Sequence, residues 1–173
     1  MLLFQTMKSK ITDKGFDLLF SFFAENEQIE YQTPHLLIPQ SSDENCVAAC
    51  VQMILADFEI KYPQSYLASA LETGGGAYPS KIPYVLNEFG VDVFQWRKDL
   101  TIADLSAALE NGFAVVSVRR KSAKFGHSVV ADAIIGNTIQ LRDPLPIGQG
   151  KSYAVALENF TEVWLKSGVI YAK

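Results

Sequence analysis

Cys46 opens the most apolar segment of the chain, and a thiol in that position has a chemical use. At the first turn of a helix it meets unpaired backbone N–H groups and the positive end of the helix dipole, both of which favour thiolate over thiol. Thiolate is the nucleophilic form, so this is where acyl-transfer chemistry would place a cysteine. Cys50, one turn deeper, reads instead as a small buried hydrophobe. A nucleophile of this kind needs a base, and the chain has 2 histidines. His127 begins the apolar run Ser128-Val129-Val130-Ala131 directly after Phe125-Gly126, where the small glycine leaves an imidazole accessible. His35 lies beside Pro34 with no partner signal and reads as structural or solvent-exposed.

A third group should orient the imidazole and fix its tautomer. Asp143 closes the segment Thr138 to Arg142 and precedes Pro144. Asp132 competes, but it stands at an odd offset from His127 in one strand and so faces the other side of the sheet. Asp143 qualifies on a condition of register. A two-residue Gly136-Asn137 turn would pair Ile135 with Thr138 and turn Asp143 away from the ring. The sequence therefore predicts that this tight turn is not formed, with a loop of odd length or an equivalent bulge in its place. Asp143 is then expected at the ring nitrogen remote from Cys46. Gln40, shortly before Cys46, completes the set: its side-chain amide and the Cys46 backbone N–H are candidate donors to a tetrahedral oxyanion.

The elements that must hold these groups are readable in outline. Cys46 to Phe58 is apolar almost all round, with Gln52 the only polar side chain before Asp57, which predicts a central helix buried on every face and capped by Ser42 or Asp43. Pro63 to Leu71 and Ser80 to Phe89 read as helices ended by Gly74-Gly75-Gly76 and Gly90. Thr101, with Asp104 three residues on, caps a fourth helix that ends at Asn111-Gly112. Strands are expected at Val91 to Trp96, Phe113 to Val118, His127 to Ile134, Thr138 to Arg142 and Val169 to Ala172, with a short helix near Asn159 to Leu165. Helices first and antiparallel strands second indicate an α+β domain. Residues 1–39 read as an N-terminal arm and 40–173 as the catalytic domain.

Composition narrows the class. The 173 residues are 49% hydrophobic and 20% charged, suited to one folded domain. A net charge of −4 and the lack of a basic stripe argue against a nucleic-acid partner. The 2 cysteines are too few and too close for a disulfide scaffold. No apolar run reaches the about 20 residues that span a bilayer. Lys8, Lys10 and Lys14 ahead of the apolar Phe16 to Ala24 could suggest a signal peptide starting at Met7, but Asp17 interrupts the apolar stretch. Cytoplasmic residence is expected, with a secreted or translocated effector as the alternative. No cofactor or metal is expected.

Gln40 and the run Cys46-Val47-Ala48-Ala49-Cys50-Val51-Gln52-Met53-Ile54-Leu55 resemble the nucleophile segment of the bacteriocin-processing, double-glycine leader peptidases, a branch of the papain-like cysteine peptidases. Gly126-His127 through Ala133, and Asn137 through Asp143-Pro144, resemble that family's His and Asp segments. Phe160, Trp164 and Val169-Ile170 resemble its closing helix and strand. The resemblance covers about residues 38 to 172. It implies a papain-like fold, a central buried helix on an antiparallel sheet, with Cys46 as nucleophile, His127 as base, Asp143 as orienter and Gln40 as oxyanion donor. Val47 departs from the glycine common after the nucleophile. The best-known members are fused to membrane transporters, and no transporter segment is present in this sequence, so their leader-peptide substrate is not carried over.

The leading expectation is a cysteine peptidase that hydrolyses a peptide bond in a peptide or protein substrate through a covalent acyl-enzyme. The alternatives are another papain-like acyl transfer, such as deamidation or transglutamination in a toxin or effector, and a non-catalytic binding module of the same fold. The Gly74-Gly75-Gly76 run reads as a loop between two helices, and the sequence leaves open whether self-cleavage occurs near Gly74-Gly75.

Overall fold

The structure, a computed structural model, describes residues 19–72 and 77–172. The possible signal segment from Met7 and the Gly74-Gly75-Gly76 run lie outside the described residues, except that Leu19 to Ala24 are described.

Helix α1 spans Cys46–Asp57, and its all-round apolarity has the expected result: Val47 to Val51 and Met53 to Leu55 are all buried. Beside it lie α2 (Gln64–Leu71), a 3-10 turn (Pro79–Lys81) and α3 (Ile82–Glu88), joined through Leu67, Leu71, Ile82, Val85 and Leu86. The strands are β1 (Phe94–Arg97), β2 (Ala114–Val118), β3 (His127–Ile135), β4 (Thr138–Asp143), β5 (Lys151–Ala156) and β6 (Trp164–Tyr171). They form one six-stranded sheet in the order β1-β6-β2-β3-β4-β5, with every neighbouring pair antiparallel.

Both faces of the sheet are covered. Val115, Val130 and Val169 pack against α1 to α3 on one side. On the other, Val116, Val118, Val129, Ala131, Leu141 and Ile170 pack against α4 (Ile102–Leu109) and α5 (Leu157–Val163). Alternation along β2 and β3 feeds both cores at once, so these strands read as continuous apolar runs. At the bulge between Val116 and Val118, β6 comes so close that a Cβ on Gly168 would stand 2.7 Å from the Val115 carbonyl oxygen. Only glycine fits there.

Several expectations are met and several corrected. Thr101 and Asp104 form the capping box of α4. Neither Ser42 nor Asp43 caps α1: Asn45 precedes the helix, makes no side-chain cap bond, and donates its side-chain amide to Ser41 Oγ at 2.9 Å. Strand β5 was not anticipated, although Tyr153 and Val155 alternate with Ser152 and Ala154. Helix α5 ends at Val163, so the last strand starts at Trp164 and not at Val169. His35 has partners: its Nδ1 lies 3.4 Å from Asp57 Oδ1, and its ring centroid 4.6 Å from that of Phe113.

The described part of the arm packs on the domain. Phe22 and Phe23 lie in the core, and Ile29 bridges Ala154 of β5. Tyr31 and Thr33 donate to Asp132 Oδ2 at 2.8 and 3.0 Å. Among the described residues, no helix is long and apolar enough to cross a membrane.

Arg142 joins these pieces. Fully buried, it donates to Asp132 at 2.8 Å, Asp57 at 2.7 Å and the Leu36 carbonyl at 3.1 Å, with its guanidinium over the Phe113 ring. Arg142→Ala leaves two buried carboxylates facing each other and is expected to cost about 3–5 kcal/mol of folding stability in chemical denaturation. A loss under about 1 kcal/mol would contradict this packing.

Candidate active site

Four segments converge at the start of α1. Cys46 is its first residue and is partly exposed, at the end of the Ser41 to Asn45 loop. His127 opens β3 opposite Val118 of β2, which brings its ring to the end of α1. Asp143 closes β4 and is completely buried.

The register that brings Asp143 to His127 corrects the sequence argument. Ile135 does pair with Thr138, so the tight turn at Gly136-Asn137 is formed, with Gly136 at φ 57°. A bulge at Asp132 then shifts the ladder by one residue, and Val130 pairs with Arg142 instead of Asp143. That single extra residue restores parity. Asp143 falls on the same face as His127, while Asp132 and Arg142 share the opposite face. Asp132 is thus excluded from the ring, as expected, and the bulge it occupies lets Asp143 reach it.

His127 Nε2 and Asp143 Oδ1 are 2.7 Å apart. The sulfur of Cys46 is hydrogen-bonded to the His127 ring, which leaves Nδ1 as the nitrogen on the cysteine side. The backbone N–H groups of Ser128 and Val47 also donate to that sulfur. Burial pushes the Cys46 thiol up, but the hydrogen bond and charge of His127, helped by these two N–H groups, outweigh it and hold the thiol below its ordinary value. Burial pulls the His127 imidazole down, yet the charge and hydrogen bond of Asp143, with those of Cys46, raise it to about 10. The pair favours thiolate–imidazolium. Cys50, buried among apolar side chains and near Cys46 and Asp143, is held well above its ordinary value and stays a thiol.

Asp143 is fixed from several sides. The Leu145 N–H donates to its Oδ1 at 2.9 Å, and the Tyr153 hydroxyl and Phe22 N–H donate to Oδ2 at 2.6 and 2.8 Å. Burial, then the Asp143 charge and hydrogen bond, lift Tyr153 well above its ordinary value, so its hydroxyl remains a donor. Neither Tyr153 nor Phe22 was identified from sequence. Recognising β5 would have exposed Tyr153, two positions along from Lys151, the partner of Asp143. No periodic pattern marks Phe22.

Gln40 is buried and clamped to the loop after β4: its N–H donates to Pro144 O at 3.0 Å, and its own carbonyl accepts from Gly148 at 3.1 Å. Its side-chain Nε2 donates to Ser42 O at 2.8 Å, and Oε1 has no partner among the described residues. The second N–H of that amide is available to a further acceptor. No group of His, Cys, Asp and Glu among the described residues could hold a metal ion. The arrangement suits nucleophilic acyl transfer: an ionised thiol, a base with an oriented tautomer, and donors at a helix start.

Comparison with known proteins bears on the family and the fold. The sequence model of the peptidase C39 family matches residues 35–173. The peptidase domain of Streptococcus ComA, a bifunctional ABC transporter involved in a quorum-sensing pathway, superposes with a TM-score of 0.61 at 18% identity, covering 80% of this chain and 99% of its own. A double-glycine-motif protease from an AMS/PCAT transporter, solved with a leader peptide, gives 0.61 at 14% identity over 84% of this chain and 99% of its own. A C39-like peptidase from Bacillus anthracis gives 0.64 at 16% identity over 81% and 95%. At these identities the structures establish a shared fold. No curated protein matches the sequence.

Proposed function

The chain belongs to the peptidase C39 family of cysteine-type peptidases, and on that premise we propose that it hydrolyses a peptide bond with Cys46 as nucleophile, His127 as general base and acid, Asp143 as orienter and Gln40 as oxyanion donor. The observation that carries this reading is the 2.7 Å contact of His127 Nε2 with Asp143 Oδ1, on the same imidazole whose hydrogen bond and charge hold the Cys46 thiol below its ordinary value.

The reaction follows from the charges. The Cys46 thiolate attacks the scissile carbonyl carbon, and the carbonyl oxygen becomes an oxyanion facing the Cys46 N–H and the free N–H of Gln40. As the tetrahedral species collapses, the C–N bond breaks and His127 gives its proton to the leaving amine, leaving a thioester. Neutral His127 then takes a proton from water, and the resulting hydroxide attacks the thioester. Collapse releases the carboxylic acid and restores thiolate and imidazolium. Asp143 keeps its charge throughout and stabilises the imidazolium.

A peptide or protein segment is the substrate on this reading. Support comes from the structural neighbour bound to a leader peptide. Steady-state cleavage of peptide substrates tests the oxyanion assignment. Gln40→Ala should lower kcat by about 10²–10³-fold with KM nearly unchanged. A variant that mainly raises KM would move Gln40 to the substrate groove.

A further inference from the structure

The segment Ser21 to Gln28 precedes residues 35–173, the span matched by the family, yet it contributes directly to the site. The Phe22 ring lies nearly parallel to the His127 imidazole, with centroids 5.7 Å apart and planes 13° from parallel. The Phe22 N–H donates to Asp143 Oδ2 at 2.8 Å. One residue therefore touches both members of the His–Asp pair, by its ring on one and its backbone on the other.

The segment is itself held in place. Arg120, from the loop that leads to His127, donates through Nη2 to the Phe22 carbonyl and sets its guanidinium over the Phe22 ring, 5.1 Å from the centroid. Phe23 packs edge-on against Phe22 and Tyr153, and Gln28 donates to the Phe23 carbonyl at 2.8 Å. Further on, Ile29 pairs with Ala154 of β5. The attachment is built from both sides of the His–Asp pair, with Arg120 before β3 and Tyr153 on β5.

We propose that Phe22 is a positioning residue for the peptidase reaction: its ring shields the His127–Asp143 hydrogen bond from water and its N–H fixes the Asp143 carboxylate, so that the N-terminal segment completes the active site. The proposal rests on the roles assigned above to Cys46, His127 and Asp143. A shield over this bond matters because an ionic hydrogen bond strengthens as water is excluded. In metal sites, groups that orient a ligating imidazole are worth about 10- to 100-fold in affinity or activity, and by analogy an effect of that order is expected from a residue seated on a His–Asp pair.

Among the described residues, the charged and titratable groups around the imidazole are Cys46 from α1, Asp143 from β4 with Tyr153 of β5 behind it, and Arg120 beyond the Phe22 ring. Water admitted at Phe22 would screen Asp143 and relieve burial together, returning His127 toward ordinary behaviour. Since His127 stands above its ordinary value, that return is downward, and the alkaline limb of activity moves to lower pH.

Phe22→Leu keeps the backbone donor and removes the ring. It is expected to lower kcat by about 10-fold or more with KM near wild type, and to shift the alkaline limb of the kcat profile to lower pH. Phe23→Leu loosens the same segment without facing His127, and should lower the melting temperature while leaving that limb in place. Should Phe22→Leu not fold, Arg120→Gln releases the clamp on Phe22 and is read by the same criteria. An unmoved limb with wild-type kcat, a change in KM alone, or an equal shift in Phe23→Leu would overturn the proposal. Cys46→Ala run alongside separates the two levels: if it remains active, the catalytic assignment itself fails, whereas an inert Cys46→Ala with an indifferent Phe22→Leu removes only Phe22.

Discussion

Replacing Cys46 with alanine is expected to lower peptide turnover by at least about 10⁴-fold while the protein stays folded. Among the described residues the thiolate is the nucleophile placed beside His127, and its removal leaves nothing there to form the acyl bond. The fold should survive because Cys46 is partly exposed and Asp143 keeps its hydrogen bonds to His127, Leu145, Tyr153 and Phe22 without it. Cys50→Ala is the matched control. That thiol is wholly buried, is held well above its ordinary pKa by burial, and belongs to the α1 core, so its removal should weaken the fold and spare turnover. Full turnover in Cys46→Ala, with loss in Cys50→Ala, would reverse the assignment.

The second large effect belongs to His127. His127→Ala should depress turnover by a similar factor, and it also has a signature in the thiol alone. In the wild-type protein burial raises the Cys46 thiol, but the His127 hydrogen bond and charge bring it below its ordinary value. Removing the imidazole leaves burial opposed only by the N–H groups of Ser128 and Val47, so the thiol rises and the thiolate fraction at neutral pH falls. Iodoacetamide labelling of Cys46, followed against pH, should therefore shift to the alkaline side in His127→Ala. In the wild type, His127 raised to about 10 keeps the thiolate–imidazolium pair intact across neutral pH. Activity should rise through the lower step of the pair as pH increases and fall through the upper one, the two steps belonging to the pair jointly. An identical labelling profile in wild type and His127→Ala would break the Cys–His pair.

What the sequence disclosed about this site followed from strong local physics. A thirteen-residue stretch from Cys46 to Phe58 with one polar side chain before Asp57 has few places to go except the centre of a domain, and a cysteine at its start inherits the helix end. The His127 strand and the Thr101–Asp104 capping box were readable for similar reasons. The turn at Gly136-Asn137 shows where such reasoning stopped. The local signal for a tight turn was right, and so was the demand that Asp143 face His127; the two conflict only in an unbulged ladder, and the bulge that the sequence reading offered in place of the turn occurs together with it. A bulge has no pattern of its own in the sequence. Its trace here is Asp132, a carboxylate inside the apolar run Val129 to Ile135, held by Arg142, Tyr31 and Thr33. Phe22 was illegible for a different reason. Its role depends on contacts more than a hundred residues away in the chain, with His127 and Asp143, and no spacing rule connects them.

Hydrolysis of a peptide bond through Cys46 is the central claim, and new chain ends are its most direct product. A complex peptide library should be incubated with wild-type protein and, in parallel, with Cys46→Ala, and every newly formed amino terminus identified by mass spectrometry. The account predicts new termini in the wild-type digest that share a recognisable sequence around the cut and are missing from the Cys46→Ala digest. Intact peptides whose side-chain amides have become acids or cross-links, with no new termini, would contradict it.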